Sequence, residues 1–272
     1  MTNVGKIALI GFGEAAIAFA GAWAPKTRAF DIKTDDPALA AAKRADYART
    51  GIAGADTLEE AIAGAELIVS LVTADQAFTA AKAAAGSIAP GALFCDFNSV
   101  APQTKQAAAR LIGSAGASYA DVAVMAPVHP ARLAVPLLVS GADACGVLTA
   151  LGFNPRRIEG PVGRASTIKM LRSVMVKGIE ALTAECFLAA RKAGVAEEVA
   201  ASLDASWPGV DWAARADYNL GRMRKHGVRR AAEMEEVAAT LEGIGQYSDM
   251  ARATASVQRR IGAAAIHESE AA

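Results

Sequence analysis

The spacing of hydrophobic positions along the chain changes near Gly163. Before that residue, short apolar runs alternate with alanine-rich stretches whose pattern is helical. Near-continuous apolar runs of this length are typical of strands in a parallel sheet that is covered on both faces. The alternation therefore predicts a doubly wound α/β domain. After Gly163 the apolar positions recur every three or four residues, as in Ile168, Leu171, Met175, Ile179 and Leu182, which predicts helices.

The pattern assigns each region its own set of elements. The predicted strands are Lys6–Gly11, Thr27–Ile32, Glu66–Val72, Ala92–Phe97, Asp121–Ala126 and Val135–Gly141. The predicted helices between them are Glu14–Ala24, Pro37–Ala48, Leu58–Ala63, Gln76–Ala84 and Pro102–Ser114. The later predicted helices are Ser166–Gly194, Ala196–Ala205, Trp212–Lys225, Arg229–Leu241 and Asp249–Ile261, followed by a frayed tail at Ala263–Ala272. We therefore expect an α/β domain at residues 1–163 and an all-helical domain at residues 164–272.

Composition narrows the class of protein. The 272 residues are 53% hydrophobic and 21% charged, which allows a substantial core. Lys+Arg and Asp+Glu balance at 28 each, so no overall positive field attracts nucleic acid. No apolar run has the length of a membrane helix, and Met1 leads almost directly into a predicted strand, without room for a signal peptide. We expect a cytoplasmic protein that binds neither nucleic acid nor a membrane. No metal is expected, because no His, Cys and carboxylate cluster has ligand spacing.

A G-x-G-x-x-A pattern follows the first predicted strand directly. Its residues are Gly11, Phe12, Gly13, Glu14, Ala15 and Ala16. The first glycine permits a tight turn, the second lets the backbone approach a pyrophosphate, and the alanine lets the helix pack closely on the strand. The helix N-terminus offers N–H groups and a positive dipole end to phosphates. Since Asp31 ends the second predicted strand, the context favours a dinucleotide site over a simple turn.

The end of the second predicted strand bears on which dinucleotide is bound. The expected contacts there are Asp31, Ile32 and Lys33. A carboxylate at this place accepts hydrogen bonds from the adenosine ribose and repels a 2′-phosphate, which favours NAD. Lys33 could offset that repulsion, so NADP stays open, although a solvated loop lysine is the simpler interpretation.

Three further blocks of sequence accompany the fingerprint. They are Leu71–Ala74, Asp96–Pro102 (D-F-N-S-V-A-P) and Gly163–Lys169 (G-R-A-S-T-I-K). Together the four blocks resemble the β-hydroxyacid dehydrogenase superfamily, which includes 3-hydroxyisobutyrate and 6-phosphogluconate dehydrogenases. The resemblance implies a Rossmann domain, a helical C-terminal domain that builds a homodimer, and a reaction that interconverts a hydroxyl and a carbonyl. It also implies a loop of Val72, Thr73 and Ala74 over the cofactor, with Ser99 near the nicotinamide.

The same resemblance implies that Lys169 is the catalytic acid and base. Interconverting an alcohol and a carbonyl moves a hydride and a proton together, and a lysine held on a helix can exchange that proton. Ser173 and Glu180 lie near the azimuth of Lys169 on the predicted helix. Without the resemblance, this polar helix face would be interpreted as solvated.

The chain departs from the family pattern where the substrate binds. Arg172 and Ser173 stand where the family usually has an asparagine, and the family's D-A-P-V-S-G-G segment reads D-V-A-V-M-A-P at Asp121–Pro127. The chain thus looks like a phosphogluconate-dehydrogenase-like branch with its own C-terminal domain. The expected substrate contacts, whose cations suggest an anion, are Asn98, Met125, Ala126, Pro127, Arg172, Ser173, Lys177, Arg229 and Arg230. For the last two, ion pairing with Glu233 is an equally good interpretation.

Two other functions stay open at this stage. Imine reductases resemble this chain in domain layout, but they usually lack the lysine, which argues against that activity. A dinucleotide-binding protein with a degenerate active site would account for the missing serine and glycines of the substrate segment.

Overall fold

The computed structural model describes residues 5–21 and 23–270, the last five of them by their backbone alone. These residues belong to two compact units, 1–169 and 170–272. All strands of the described chain lie in the first unit, and the second unit is helical. Residues 1–4, on which the signal-peptide expectation depends, lie outside the described part.

A single sheet forms the centre of the first unit. Its strands are β1 (Ile7–Ile10), β2 (Thr27–Phe30), β3 (Ala53–Gly54), β4 (Leu67–Ser70), β5 (Leu93–Asp96), β6 (Ser118–Val124), β7 (Pro136–Gly141) and β8 (Asn154–Arg157). They lie in the order β3-β2-β1-β4-β5-β6-β7-β8, and each neighbouring pair is parallel except β6 with β7. From β1 the chain first extends the sheet toward one edge with β2 and β3, and then toward the other edge with β4 to β8. The boundary between β1 and β4, called the strand-order reversal below, is where α/β sheets of this kind bind ligands.

Helices and short 3₁₀ turns connect the strands and build the second unit. The helices are α1 (Glu14–Ala20), α2 (Pro37–Thr50), α3 (Leu58–Ile62), α4 (Ala77–Ala85), α5 (Pro102–Ser114), α6 (Cys145–Ala150), α7 (Arg164–Ala193), α8 (Ala196–Ser206), α9 (Trp212–Gly243) and α10 (Asp249–Glu270). The boundary between the compact units falls within α7, beyond the predicted boundary at residue 163. None of the helices in the described part of the chain combines the length and apolar character needed to cross a bilayer.

The sheet is buried on both faces, as the apolar strand runs predict. Ile7 and Leu9 of β1 join one hydrophobic cluster, while Ala8 and Ile10 join another on the opposite face. Successive side chains of a strand point to opposite faces, so one short strand contributes to both clusters. The expected class, a Rossmann-type α/β domain followed by helices, is the one observed.

Several predicted elements differ from those observed. The sequence pattern does not predict β3 and β8, because Ala53–Gly54 and Asn154–Arg157 contain no apolar run. β6 begins at Ser118 rather than at Asp121, because a buried aspartate lies inside the strand. The short helix α6 is also absent from the prediction. The expectation of a frayed tail from Ala263 is wrong as far as Glu270, since α10 continues to that residue; the last two residues lie outside the described part.

The predicted break between Lys225 and Arg229 is also wrong, because α9 runs through it without interruption. Gly227 lies there against α10. A Cβ on Gly227 would lie 2.3 Å from the Gln258 carbonyl oxygen and 3.0 Å from Gly262 Cα. The glycine therefore permits a close crossing of two helices rather than ending one.

This crossing gives a prediction with an internal control. Gly227→Ala is expected to destabilise the protein by about 1–3 kcal/mol, because α9 and α10 must separate to admit a methyl group. Gly221→Ala, in the same helix with open space around its Cβ position, is expected to be neutral or stabilising by about 0.5–1 kcal/mol. Urea denaturation of both variants measures this, and equal effects would contradict the proposed role of the crossing.

Candidate functional site

The turn after β1 lies at the strand-order reversal and accepts only glycine at its first position. Gly11 has φ +84°, and a Cβ there would lie 2.6 Å from the Leu71 carbonyl oxygen. Its N–H donates to the Phe30 carbonyl at 2.8 Å. The turn is thus held between the ends of β2 and β4.

Phe12 is anchored through both of its backbone polar groups. Its N–H donates to Asp31 Oδ2 at 2.7 Å, and its carbonyl accepts from Lys43 Nζ at 2.6 Å. Its side chain is fully buried, with its ring centroid 4.9 Å from that of Tyr47. Burial, and then the charge of Asp31, raise the pKa of the Tyr47 phenol well above its ordinary value. Sequence reasoning missed Lys43 and Tyr47, since neither residue belongs to a recognisable motif.

The start of α1 suits a bound pyrophosphate. The Cβ position of Gly13 has no atom within 4 Å, so the space beside the first turn is open. Ala16 is fully buried, as close packing of the helix requires, and Ala15 is half-buried. Glu14 is exposed in the first turn. These features fit a dinucleotide whose phosphates meet the helix N-terminus.

Asp31 is buried directly after the end of β2. Its Oδ1 accepts from the Lys33 backbone N–H at 3.0 Å, and Oδ2 accepts from Phe12. Each carboxylate oxygen has further lone pairs, so both can also accept from ribose hydroxyls. The Ile32 side chain is 63% exposed beside it, and Lys33 is exposed as well.

The loops that follow β4 and β5 are tied together by Asn98. Its Oδ1 accepts from the Val72 N–H at 2.7 Å, and its Nδ2 donates to Ser70 Oγ at 2.9 Å. The amide expected to contact substrate is thus used inside the domain. Thr73 and Ala74 begin a 3₁₀ turn, and hydrogen bonds from Thr73 and Gln76 lower the pKa of Asp75.

Lys169 and Ser99 meet at the carboxyl end of β5. Lys169 Nζ donates to Ser99 Oγ at 2.5 Å, and both side chains are half-buried. The two residues are 70 positions apart in the sequence. The structure thus brings together the two motif blocks that were expected at the nicotinamide end.

The first turn of α7 is fixed by a buried carboxylate of β6. Asp121 Oδ2 accepts from the N–H groups of Gly163 at 3.1 Å and Ser166 at 3.0 Å, while Oδ1 accepts from Ser166 Oγ at 2.6 Å. Ser140 Oγ donates to the same carboxylate and accepts from the Ala165 N–H. Asp121 therefore caps the helix that carries Lys169.

The segment after β6 lies at the same edge of the sheet. Met125 and Ala126 are half-buried, and Pro127 is exposed. Met125 lines a cavity of about 690 Å³, together with Ile168 of α7 and Arg156 of β8. This cavity belongs to the first unit and was not foreseen, because β8 carries no strand signal.

Three of the cationic residues expected to contact substrate form ion pairs within the helical unit. Lys177 Nζ lies 2.9 Å from one oxygen of Glu233, and Arg229 lies 2.6 Å from the other. Arg230 pairs with Glu180 of α7 rather than with Glu233. The intrahelical alternative therefore describes Arg229, whereas Arg230 joins two helices.

The polar face of α7 within this unit is buried rather than solvated. Ser173, Lys177 and Glu180 are each less than 8% exposed. Arg172 is exposed and forms none of the ion pairs found in the described part of the chain. Over those same residues, no group of three His, Cys, Asp or Glu side chains could hold a metal ion.

Comparison with known proteins finds family models that match both parts of the chain. Residues 190–261 match a domain of unknown function, DUF1932. A conserved hypothetical protein from Sinorhizobium meliloti 1021 is 40% identical, with 96% of this chain and 90% of that chain covered and a TM-score of 0.74.

Two further solved structures have the same fold. A conserved protein of unknown function, described as structurally similar to 3-hydroxyacid dehydrogenases, is 26% identical with a TM-score of 0.69 and coverage of 94% and 99%. A 3-hydroxyisobutyrate dehydrogenase from Mycobacterium tuberculosis, solved with L-serine, has a TM-score of 0.75 at 18% identity and coverage of 98% and 99%. At that identity the likeness establishes the fold alone.

A match to a second family model covers more than half of the chain and includes every residue of the fingerprint turn. Residues 6–146 match the model described as the NAD binding domain of 6-phosphogluconate dehydrogenase. The chain therefore belongs to the protein family defined by that NAD binding domain.

Proposed function

We propose that this protein is an NAD-dependent oxidoreductase that interconverts a hydroxyl and a carbonyl on a β-hydroxy acid or a related anionic alcohol. The family supports dinucleotide-dependent oxidoreductase chemistry. The reaction, the substrate class and the role of Lys169 are the proposal. The observation that carries it is the 2.5 Å contact between Lys169 Nζ and Ser99 Oγ at the carboxyl end of β5.

Lys169 acts as the general acid and base. A nicotinamide cofactor, when bound, would supply or accept the hydride. In reduction Lys169 gives a proton to the carbonyl oxygen, and in oxidation it takes the proton from the hydroxyl. Ser99 accepts a hydrogen bond from the Lys169 ammonium and so orients it. Because Lys169 lies near the fixed start of α7, its position is set before substrate arrives.

Asp31 selects NAD. Its carboxylate is fixed by two backbone N–H groups and keeps lone pairs that would accept from the adenosine ribose hydroxyls. A 2′-phosphate would bring a second negative charge next to this carboxylate, with only the exposed Lys33 to offset it. Ile32 offers an exposed apolar surface to the adenine.

The substrate carries an anionic group. Of the cations that the sequence singled out, Lys177, Arg229 and Arg230 already have carboxylate partners. Arg172 is the best candidate to bind the substrate's anion, because it is exposed and a guanidinium binds a carboxylate or phosphate with two parallel hydrogen bonds. Met125, Ala126 and Pro127 approach the substrate from the end of β6.

The protein is a homodimer formed through its helical unit. Leu171, Met175 and Leu182 of α7 are 40%, 65% and 60% exposed, at spacings that place them on one helix face. An apolar face of this kind on a soluble protein marks an interface.

Replacing Lys169 tests the proposed chemistry. Lys169→Ala is expected to lower kcat by about 10²–10⁴-fold, because the proton loses its carrier. NADH binding, followed by fluorescence titration, is expected to stay unchanged. Lys82→Ala, which removes an exposed lysine of α4, serves as the matched control and retains full activity.

The substrates for this assay come from a panel of β-hydroxy acids, their oxo forms and cyclic imines. Near-normal turnover by Lys169→Ala would contradict the mechanism. Turnover of imines alone would identify an imine reductase. Tight NADH binding without any turnover would point to a binding protein with a degenerate site.

Asp31→Asn tests the choice of cofactor. Removing the negative charge is expected to raise the affinity for NADPH relative to NADH by about tenfold or more, because the Asp31 carboxylate no longer repels the 2′-phosphate of NADPH. Titration of both cofactors into the wild type, Asp31→Asn and the exposed neighbour Asp35→Asn measures the ratio. An unchanged ratio of NADPH to NADH affinity in Asp31→Asn, or an equal change in Asp35→Asn, would contradict the proposed role of Asp31 in selecting NAD.

The proposed dimer predicts that charges introduced into its interface lower the mass of the protein in solution. Light scattering after size exclusion is expected to give twice the mass of one chain for the wild type. Met175→Arg with Leu182→Arg is expected to give a single chain, because two charges cannot be buried in an apolar interface. Glu197→Lys, at an exposed position of α8, keeps the wild-type mass. A wild-type protein with the mass of one chain would refute the proposal.

A further inference from the structure

A buried ionic cluster lies between α5 and the sheet, and the proposed chemistry does not use it directly. Lys105 of α5, Asp96 of β5 and Asp121 of β6 are each no more than 1% exposed. Lys105 Nζ lies 2.9 Å from Asp96 Oδ1 and 3.4 Å from Asp121 Oδ1, and it donates to the Asp96 carbonyl oxygen at 2.6 Å. A buried charge is costly unless it is paired, so three together call for a physical reason. The sequence gives no hint of this lysine, which looks like an ordinary helix-surface residue.

The two carboxylates lie side by side on neighbouring strands, on the same face of the sheet. Asp96 and Asp121 are register partners in the parallel pair formed by β5 and β6. Like charges on neighbouring strands repel, and the low dielectric of the interior strengthens that repulsion. Lys105 contacts both carboxylates and balances one of the two negative charges. Its ammonium is therefore what allows both aspartates to keep their present positions.

One of these carboxylates fixes the segment that carries Ser99. Asp96 Oδ1 accepts from the Asn98 N–H at 2.8 Å, and Oδ2 accepts from Tyr119 Oη at 2.5 Å. Burial, and then the charge of Asp96, raise the pKa of Tyr119 well above its ordinary value, so the phenol stays a donor. Asn98 immediately precedes Ser99, and its side chain holds the loop after β4. Movement of Asp96 would therefore move Ser99.

The other carboxylate fixes the helix that carries Lys169. Asp121 caps the first turn of α7 through Gly163 and Ser166. Lys169 lies less than one full turn after Ser166. A displaced Asp121 would therefore shift or loosen the helix start, and Lys169 would move with it.

We infer that Lys105 is a positioning residue, which sets the distance between Ser99 and Lys169 by holding Asp96 and Asp121 together. It contacts neither the cofactor nor the substrate and acts through the two carboxylates. The inference deepens the proposed function and rests on it for the effect on turnover. The effect on Lys169 itself is measurable without any substrate.

The direct test measures the reactivity of Lys169 in a Lys105→Met variant, which keeps an unbranched side chain of similar length and removes its charge. Wild type and variant are labelled with a trace of acetic anhydride over a range of pH, and peptide mass spectrometry gives the labelling rate of each lysine. Lys169 is expected to label at a rate changed by at least about threefold, because its contact with Ser99 is altered. Lys82, an exposed residue of α4, serves as the internal reference and keeps its rate.

Turnover gives the second readout. Lys105→Met is expected to lower kcat by about 10–100-fold with little change in KM, because displacement of a catalytic group mainly affects the chemical step. NADH affinity stays at the wild-type value. A folded variant with an unchanged Lys169 labelling rate overturns the inference. A fall in kcat that is accompanied by a rise in KM, with an unchanged labelling rate of Lys169, also overturns the inference, because that pattern indicates a structural role only.

A second variant covers the case in which Lys105→Met does not fold. Lys105→Gln keeps an N–H donor for the Asp96 carbonyl and still removes the charge. The same labelling measurement on Lys105→Gln then decides, and an unchanged rate at Lys169 overturns the inference. If Lys169→Ala retains activity while Lys105→Met alters Lys169 labelling, the proposed mechanism fails and the positioning role stands.

Discussion

The capping of α7 by Asp121 is the interaction on which the rest of the site depends. Its carboxylate is fully buried in β6 and accepts from two backbone N–H groups and two hydroxyls around the helix start. A helix N-terminus leaves N–H groups without partners inside the helix, so a buried start requires acceptors of this kind. The sheet thereby decides where α7 begins. The position of Lys169, a few residues further along, follows from that start.

A second constraint sets the cofactor half of the site. Because β1 and β4 are neighbours at the strand-order reversal, the turn after β1 passes so close to Leu71 that no side chain fits on Gly11. Asp31 and Lys43 then hold the next peptide units from both sides. The turn is fixed by contacts inside the protein, so binding a dinucleotide need not order it first.

The sequence predicted the parts of the site that depend on local pattern. The fingerprint turn and the start of the long helix each have a signal within a few residues. The turn lies where its motif predicts it, and α7 begins at Arg164, two residues before the predicted start at Ser166. The meeting of Ser99 with Lys169 depends on the sheet order, and it could be expected only because a family resemblance supplied that order. The roles proposed for the site residues stay predictions.

The missed features share a physical cause. Lys105 and Lys43 look like surface lysines, although both are buried, and their ammonium groups contact segments outside their own helices. Asp121 was interpreted as part of a substrate segment, although its partners lie about 40 residues further on. The break predicted at Gly227 failed because a glycine that ends a helix and one that admits a neighbouring helix have the same sequence signal. Local pattern cannot distinguish these cases, because a distant segment decides each one.

We propose that a dinucleotide binds across the strand-order reversal with its nicotinamide beside Lys169. A crystal structure of the protein with NADH bound is the decisive measurement. We expect ribose hydroxyls on Asp31, phosphates against the backbone at Gly13, and a nicotinamide ring in contact with Ser99 and within reach of Lys169. A dinucleotide bound elsewhere, or a nicotinamide ring far from Lys169, would contradict it.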